Sequence, residues 1–360
     1  MGISFSMANH HSEVAVIIGG GISGLSCLNA FLDRGIPAVL IEATHVGIPK
    51  MCGEFIAPPA VKLLEQWEIG PIQEIHHVEF RARKNKFNMN FSHYAGGFSR
   101  SEAELLLAKR ALNKGGIIKE KTSIDKLIPA TEDLPYQLEL STGEIITTKT
   151  AIFATGKFAA QQTAVSMPYY GIKLHFDKIV SPNRLLMFSC LNAYLGIIPI
   201  NNTVSNCTCL IKKTSSNKIL DKNYFYELVQ SNDGLQQIFQ SIDLNNAKWL
   251  VGHAPEFQLK KNPAWPNAFW IGDALAGIHP AIGSGFFHGI LSGILAAEYY
   301  ASMTPDLYHH ESILLAKKKL RYSKLIHHIL LSPSLGTMVL PFVKKYPGIV
   351  NWLLEKIHFA

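Results

Sequence analysis

The chain has 360 residues, 48% of them hydrophobic, enough to bury a large core shared between two packed domains. Its 34 Lys and Arg against 27 Asp and Glu give a formal charge of +7, which favours an anionic partner: a phosphate-bearing cofactor, a nucleic acid or a membrane surface. The five cysteines are scattered with no Cys-x-x-Cys pair, which argues against a disulfide framework or zinc site, and the absence of a long apolar run or a signal-peptide core predicts a soluble protein inside the cell.

Met1 to Ser6 fits the N-myristoylation pattern in form only, a match that six residues reach easily by chance. Glu13 to Ile18 is a short β-branched run of the kind buried in a parallel sheet, and it leads into Gly19-Gly20-Gly21-Ile22-Ser23-Gly24. Apolar positions at Ile22, Leu25, Leu28, Ala30 and Leu32 predict a helix to Arg34, stopped by Gly35. A second strand, Ala38 to Ile41, closes on Glu42, eighteen residues beyond Gly24. A Gly-x-Gly-x-x-Gly turn in this setting is a dinucleotide site. Gly19 permits the tight turn, Gly21 lets backbone approach a pyrophosphate, Gly24 lets helix and strand pack closely, and Ser23 lies within the same turn. Glu42 would accept hydrogen bonds from ribose hydroxyls and repel a 2′-phosphate, so the adenosine is of the FAD or NAD kind.

Residues 46 to 75 read as a loop and a helix, Ala60 to Trp67, and residues 76 to 98 as short strands with basic and aromatic side chains. Ser101-Glu102-Ala103-Glu104 reads as a capping box heading a helix to about Asn113. Strands follow at Tyr136 to Leu140, Ile145 to Thr148 and Ala151 to Ala154, the last ending in Thr155-Gly156. From 165 to 265 short strands alternate around one helical stretch, Tyr224 to Gln240, and Cys207 and Cys209 share one face of a strand as a packed apolar pair. Phe269 to Gly272 and Gly285 to Ala301 return to strand and small-residue helix. The tail is helical, basic and apolar, broken by Pro333, Pro341 and Pro347. Its apolar groups, Leu330-Leu331, Met338 to Leu340, Phe342-Val343 and Trp352 to Leu354, alternate with Lys344, Lys345 and Lys356. Such helices either lie on an anionic bilayer or cover the cofactor domain.

Ile271-Gly272-Asp273-Ala274, followed by Gly277, His279-Pro280, Gly283, Gly285 and Ser292-Gly293, resembles the second flavin signature of the para-hydroxybenzoate hydroxylase and geranylgeranyl reductase superfamily. The resemblance implies that Asp273 binds the ribityl chain and that the loop from Pro280 to Gly283 lies along the isoalloxazine. A helix starting at Gly285 would aim its positive end at the N1/C2 edge of the flavin. Phe98-Ser99-Arg100-Ser101 resembles the family's arginine-bearing stretch, which implies contact of Arg100 with the FAD phosphates or ribityl; a surface ion pair is the competing reading. Ala154-Thr155-Gly156 resembles the turn passing the adenosine half. Lys50-Met51-Cys52-Gly53-Glu54 is similar to the Cys-Gly loop of the reductase and halogenase branches, which makes Cys52 a candidate catalytic residue, with loop packing by Gly53 as the alternative. His279 and Pro280 are the other catalytic candidates. Tyr194 to Pro199 keeps the tyrosine and proline of the reductases' substrate motif but lacks its tryptophan and phenylalanine, and the halogenases' paired tryptophans and active-site lysine have no counterpart.

The expected fold class is α/β: a discontinuous Rossmann-like FAD-binding domain (1–164 and 267–304), an inserted β-sheet substrate domain (165–266, joined by strands near 76–98) and a helical C-terminal tail (305–360). The expected function is an FAD-dependent monooxygenase of an aromatic or lipophilic substrate, reduced by NADH or NADPH that visits without a second Gly-x-Gly-x-x-Gly unit. The alternatives are reduction of prenyl double bonds and a non-enzymatic flavin-binding protein. No metal is expected, since no histidine has ligand spacing, and no nucleic acid, since the basic and aromatic run Phe80 to Lys86 lies where this family builds its substrate sheet.

Overall fold

The computed structural model describes residues 14–70, 72–157, 166–214, 222–302, 304–346 and 348. The Met1–Ser6 pattern, Pro347 and the apolar group Trp352 to Leu354 with Lys356 lie outside the described residues.

From the N-terminus, β1 (Ala15–Ile18), α1 (Ile22–Asp33) and β2 (Ala38–Ile41) make the βαβ unit that the sequence reads as a dinucleotide site. Then come β3 (Phe55–Ile56), α2 (Pro58–Gln66), the hairpin β4 (Gln73–Ala82) and β5 (Asn85–Gly97), α3 (Arg100–Asn113) and β6 (Ile117–Lys119). A meander of β7 (Ile124–Ile128), β8 (Tyr136–Leu140) and β9 (Ile145–Thr148) precedes β10 (Ala151–Phe153). The next stretch holds β11 (Tyr169–Phe176), β12 (Arg184–Cys190), β13 (Ala193–Pro199), β14 (Ser205–Lys212), α4 (Lys222–Gln230), α5 (Asp233–Phe239) and β15 (Lys248–Ala254). The chain ends with β16 (Ala268–Trp270), α6 (Gly285–Ala301), α7 (Pro305–Leu330) and α8 (Pro333–Lys345).

The nucleotide sheet runs β16-β10-β1-β2-β6, every pair parallel. Its strands are short and apolar because helices or the meander cover both faces. Helices α1, α2, α3 and α6 fill one side, and the meander with α7 fills the other. The second sheet runs β15-β11-β14-β13-β12-β4-β5-β3, so strands from before and after the meander close into one surface. Its far face is covered by α4 and α5, where Cys207 and Cys209 are both fully buried.

The structure corrects several local expectations. Residues 76–98 are not short strands but most of a hairpin of ten- and thirteen-residue strands. The half-buried His76, His77 and Arg81 and the buried Glu79 of β4 mask its alternation in the sequence. Helix α3 is capped by Ser99, whose hydroxyl accepts from the Glu102 N–H at 3.5 Å, and not by a Ser101–Glu104 box. Glu104 is buried and held by two cations, so it does not reach back. The stretch Tyr224–Gln240 is two helices, because Asn232 is extended and caps α5 through the Leu235 N–H. Pro333 opens α8 at its first turn, whereas Pro341 sits inside α8 without breaking it. There the packing of Gly336 and Leu340 holds the helix on the sheet; a Cβ on Gly336 would stand 2.9 Å from the Ala82 Cβ.

Candidate cofactor and substrate site

One continuous cavity of about 790 Å³ runs from the glycine turn to the underside of α8. That size is ordinary for a small-molecule or cofactor site. Its first half is built by the turn after β1, the ends of β2 and β10, and the loops around Asp273 and Gly283.

The glycines divide into two kinds. Gly19 has φ +111, and a Cβ there would collide with the Ala154 carbonyl, so the turn demands glycine. A Cβ on Gly24 would overlap the Gly19 carbonyl oxygen, which is the close helix–strand contact the sequence predicts. Gly272, at φ +56, makes room for the Ser23 hydroxyl, so Ser23 serves the packing of α1 against the Asp273 turn as well as lining the cavity. By contrast, Cβ atoms on Gly53, Gly156 and Gly285 would meet nothing within 4 Å, and one on Gly21 would meet only the Arg100 and Glu104 side chains, 3.5 and 3.8 Å away. All four line the cavity, so the space beside them is free for a ligand's backbone-hugging approach.

Two helix N-termini face this half. Helix α1 has no side-chain cap and no acid in its first turn, and α6 likewise begins at Ser284 without a side-chain cap. Their first N–H groups and positive ends are left for a ligand. Among the described residues the buried hydroxyls of Thr155 and Ser284 have no hydrogen-bond partner. Arg100 lies over the turn, its Nε 2.8 Å from the Glu104 carboxylate, which also takes Lys50 at 2.9 Å. The ion-pair and ligand-facing readings of Arg100 are therefore compatible. Glu42 lines the cavity, but its Oε2 accepts from the Gly20 N–H at 2.6 Å and its Oε1 from the Thr44 N–H and hydroxyl. Burial would raise its carboxyl; the bonds from Thr44 and Gly20 outweigh this and hold it below the usual value. The donor set thus fits FAD. Gly21, Arg100 and the α1 N-terminus would hold the pyrophosphate, Glu42 the ribose, Asp273 the ribityl and the α6 N-terminus the ring.

Cys52 and Gly53 form the cavity wall where the two sheets meet. The loop is fixed from behind by polar residues of the second sheet: Asn206 Nδ2 and Thr208 Oγ1 donate to the Cys52 carbonyl at 3.3 and 3.0 Å, and Asn206 donates to that of Gly53 at 2.9 Å. Next to it Glu54, at φ 55, buries its carboxylate against Lys173 Nζ (2.6 Å), His175 Nε2 (2.6 Å) and the Arg100 N–H (3.0 Å). Burial raises its carboxyl, but His175 and Lys173 bring it below the ordinary value. The sequence names Glu54 only as the end of a loop and gives no sign of Lys173; their partnership spans 119 residues.

His279 is placed differently from expectation. Pro280 lines the cavity, whereas His279 is turned into an aromatic cluster with Phe257 at 4.7 Å and His327 at 4.4 Å. Burial, with the charges of His328 and Lys324, lowers His279 to about 4, so it is neutral at pH 7. Gly283 lines the cavity but has no free space beside it; at φ +64, a Cβ there would strike the Phe55 ring.

The second half of the cavity is an apolar chamber. Val78, Phe80, Phe87, Met89 and Phe91 of the hairpin form its floor with Leu185 and Met187 of β12, while Ile326, Ile329 and Leu330 of α7 and Val339, Leu340 and Val343 of α8 close it. The tail therefore covers the chamber as well as the nucleotide sheet. Among the described residues no cluster of His, Cys, Asp and Glu could hold a metal.

The flavin-dependent brominase Bmp2 superposes over 98% of this chain and 95% of its own, at 16% identity and a TM-score of 0.79. HpxO of Klebsiella pneumoniae, solved with FAD, covers 96% and 98% at 13% identity and 0.76. PqsL of P. aeruginosa, solved with 2-aminobenzoylacetate, covers 91% and 98% at 14% identity and 0.72. The chain has the fold of the FAD-dependent monooxygenases. No protein-family model matches it. A curated relative, the UDP-N-acetylmuramoylalanine–D-glutamate ligase of Blochmanniella pennsylvanica, is 45% identical over 56 residues, which are 16% of this chain and 10% of that one. The chain thus spans about a tenth of that ligase, whereas the monooxygenase fold accounts for nearly all of it.

Proposed function

We propose that this protein is an FAD-dependent oxidoreductase, a monooxygenase that uses NADH or NADPH to hydroxylate an aromatic or lipophilic substrate. The observation that carries it is the continuity of the cavity: a glycine turn suited to phosphate at one end leads, past the Cys52-Gly53 loop, into an apolar chamber roofed by α7 and α8 at the other. FAD, when bound, would supply the redox chemistry, taking electrons from the nicotinamide and passing them on. The chain's own part is to place the substrate and exclude water, since a dry chamber protects reactive oxygen species from waste. Tyr194 and Thr208 are the polar groups that the substrate sheet adds to the wall. Among the described residues the buried Tyr194 hydroxyl finds no acceptor, so it would donate to one oxygen of an otherwise apolar ligand. The same reading places the enzyme inside the cell, where NADH and NADPH are supplied.

The fold hosts several chemistries and does not choose among them. A second reading, hydride delivery to a prenyl double bond, is favoured by the Cys52-Gly53 loop standing in the chamber wall. The two separate in one experiment: reduce the FAD-loaded protein anaerobically with NADH or NADPH, then admit oxygen with aromatic and prenyl candidates. Substrate-stimulated oxygen uptake with a hydroxylated product supports the monooxygenase. Saturation of a prenyl bond without oxygen establishes the reductase, and a protein that stays colourless after FAD reconstitution refutes both.

A further inference from the structure

The chain's charge is unevenly placed. Its Lys and Arg exceed its Asp and Glu by seven. Residues 312–346 alone carry seven cations, Lys317, Lys318, Lys319, Arg321, Lys324, Lys344 and Lys345, with no acid among them. The rest of the chain is therefore balanced. Five of the seven, Lys317, Arg321, Lys324, Lys344 and Lys345, are exposed.

The same stretch of α7 and α8 exposes large apolar side chains: Leu314 (53%), Leu325 (57%), Leu335 (40%), Met338 (69%), Phe342 (53%) and Tyr346 (44%). Leu335, Met338, Phe342 and Tyr346 recur three or four residues apart, which makes a single helical stripe. The opposite face of α8, with Gly336, Val339, Leu340 and Val343, looks into the chamber. Helix α8 is thus apolar inside and out, its only charges being Lys344 and Lys345. Leu191, 73% exposed at the β12–β13 turn, adjoins the patch, since the Asn192 N–H donates to the Leu331 carbonyl at 3.0 Å. Single exposed leucines are ordinary, but an apolar stripe accompanied by most of a protein's surplus charge is a binding surface.

Charge decides its occupant. A second copy of this face would set five exposed cations against five. A nucleic acid would satisfy the lysines and leave the apolar stripe in water. An anionic bilayer satisfies both. We propose that the outer face of α7 and α8 docks on an anionic lipid bilayer, which sets the α8 wall of the chamber against the hydrocarbon boundary. Helix α8 would lie in the membrane plane: no single described helix is long and apolar enough to cross, and α7 and α8 reach that length and apolarity only together, bent by 110°. This gives the substrate reading a source, lipophiles dissolved in the membrane; the docking stands independently of that reading.

The test is flotation of the full-length, FAD-loaded protein with vesicles of phosphatidylcholine alone or mixed with phosphatidylserine. Binding is expected with the anionic vesicles at low salt and is lost in neutral vesicles or high salt. The pair Met338→Glu with Phe342→Glu, both outside the cavity wall, should keep FAD absorbance and melting temperature yet reduce the floated fraction at least tenfold. Absence of flotation with anionic vesicles, or equal flotation of wild type and variant, overturns the proposal. So does a wild type that sediments as a dimer which the variant pair dissolves, since the face would then join two copies. Failure of FAD to bind would refute the oxidoreductase reading and leave the docking result to be read on its own.

Discussion

At the scale of single residues, the two kinds of glycine give opposite predictions. Gly21→Val puts a side chain into free space beside Arg100, so the apoprotein should melt as wild type does while flavin retention, read by absorbance after gel filtration, is lost. Gly24→Ala drives a methyl into the Gly19 carbonyl, so stability itself should fall by about 1–3 kcal/mol, the usual cost of overpacking. The reverse pattern would mean that Gly21 is structural and that no pyrophosphate lies beside it. Glu54 makes a different prediction. Its carboxylate balances Lys173 in the interior, so Glu54→Ala should cost about 3–5 kcal/mol by leaving a buried charge unpaired. Adding Lys173→Met should restore a large part of that loss in a double-mutant cycle followed by thermal melts. Additive losses would show that the pair is not coupled.

At the scale of elements, the C-terminal helices are fastened by two devices. One is the contact of α7 with the substrate sheet through His327, whose Nε2 is 3.0 Å from the Tyr169 hydroxyl and whose ring packs on His279. Burial, then the nearby His279, His328 and Lys212, lowers His327 to about 3, and His279 stands at about 4. Both are far below the unfolded value near 6.5, so the unfolded chain binds protons first. Their contribution is complete above about pH 6.5 and declines as pH falls from there toward 4. Melting temperature measured from pH 8 to 5 should therefore drop below pH 6.5, and His327→Phe should flatten that drop; an unchanged profile would remove these histidines from the account. The second device is the close approach of α8 to β4 at Gly336. Gly336→Leu should lift α8 from the Phe80 and Ala82 contact. Proteolysis between 331 and 346 should then accelerate, with NAD(P)H oxidation uncoupled from product in the loaded enzyme; unaltered cleavage would show that α8 tolerates the side chain.

At the scale of the molecule, the cavity belongs to no one element. The parallel first sheet supplies glycine turns and helix ends, and the mixed second sheet supplies an apolar floor. The C-terminal pair supplies the closure. The loop Lys50–Glu54 joins the two sheets, held by Lys173, Asn206 and Thr208 on one side and leading to Arg100 on the other. Such a joint couples the cofactor half to the substrate half, so substitutions behind the loop are expected to alter both flavin affinity and substrate binding.

The sequence by itself determined the nucleotide-binding unit, because its chemistry is local: a buried strand, a turn that only glycine can make and an acid at the next strand's end lie within thirty residues. The same holds for α6, whose bounds Gly285–Ala301 follow from its small residues, and for β8, whose alternation is intact. Only the tertiary structure decided what depends on distant partners. Glu104 reads as a capping residue until Lys50 and Arg100 claim it, and His279 reads as a flavin neighbour until His327, 48 positions on, draws it into an aromatic cluster. The chamber was hidden for the same reason. Its walls come from residues 78 to 343, and no local pattern tells a helix that roofs a cavity from one that simply covers a core, because both present the same apolar stripe to their own chain.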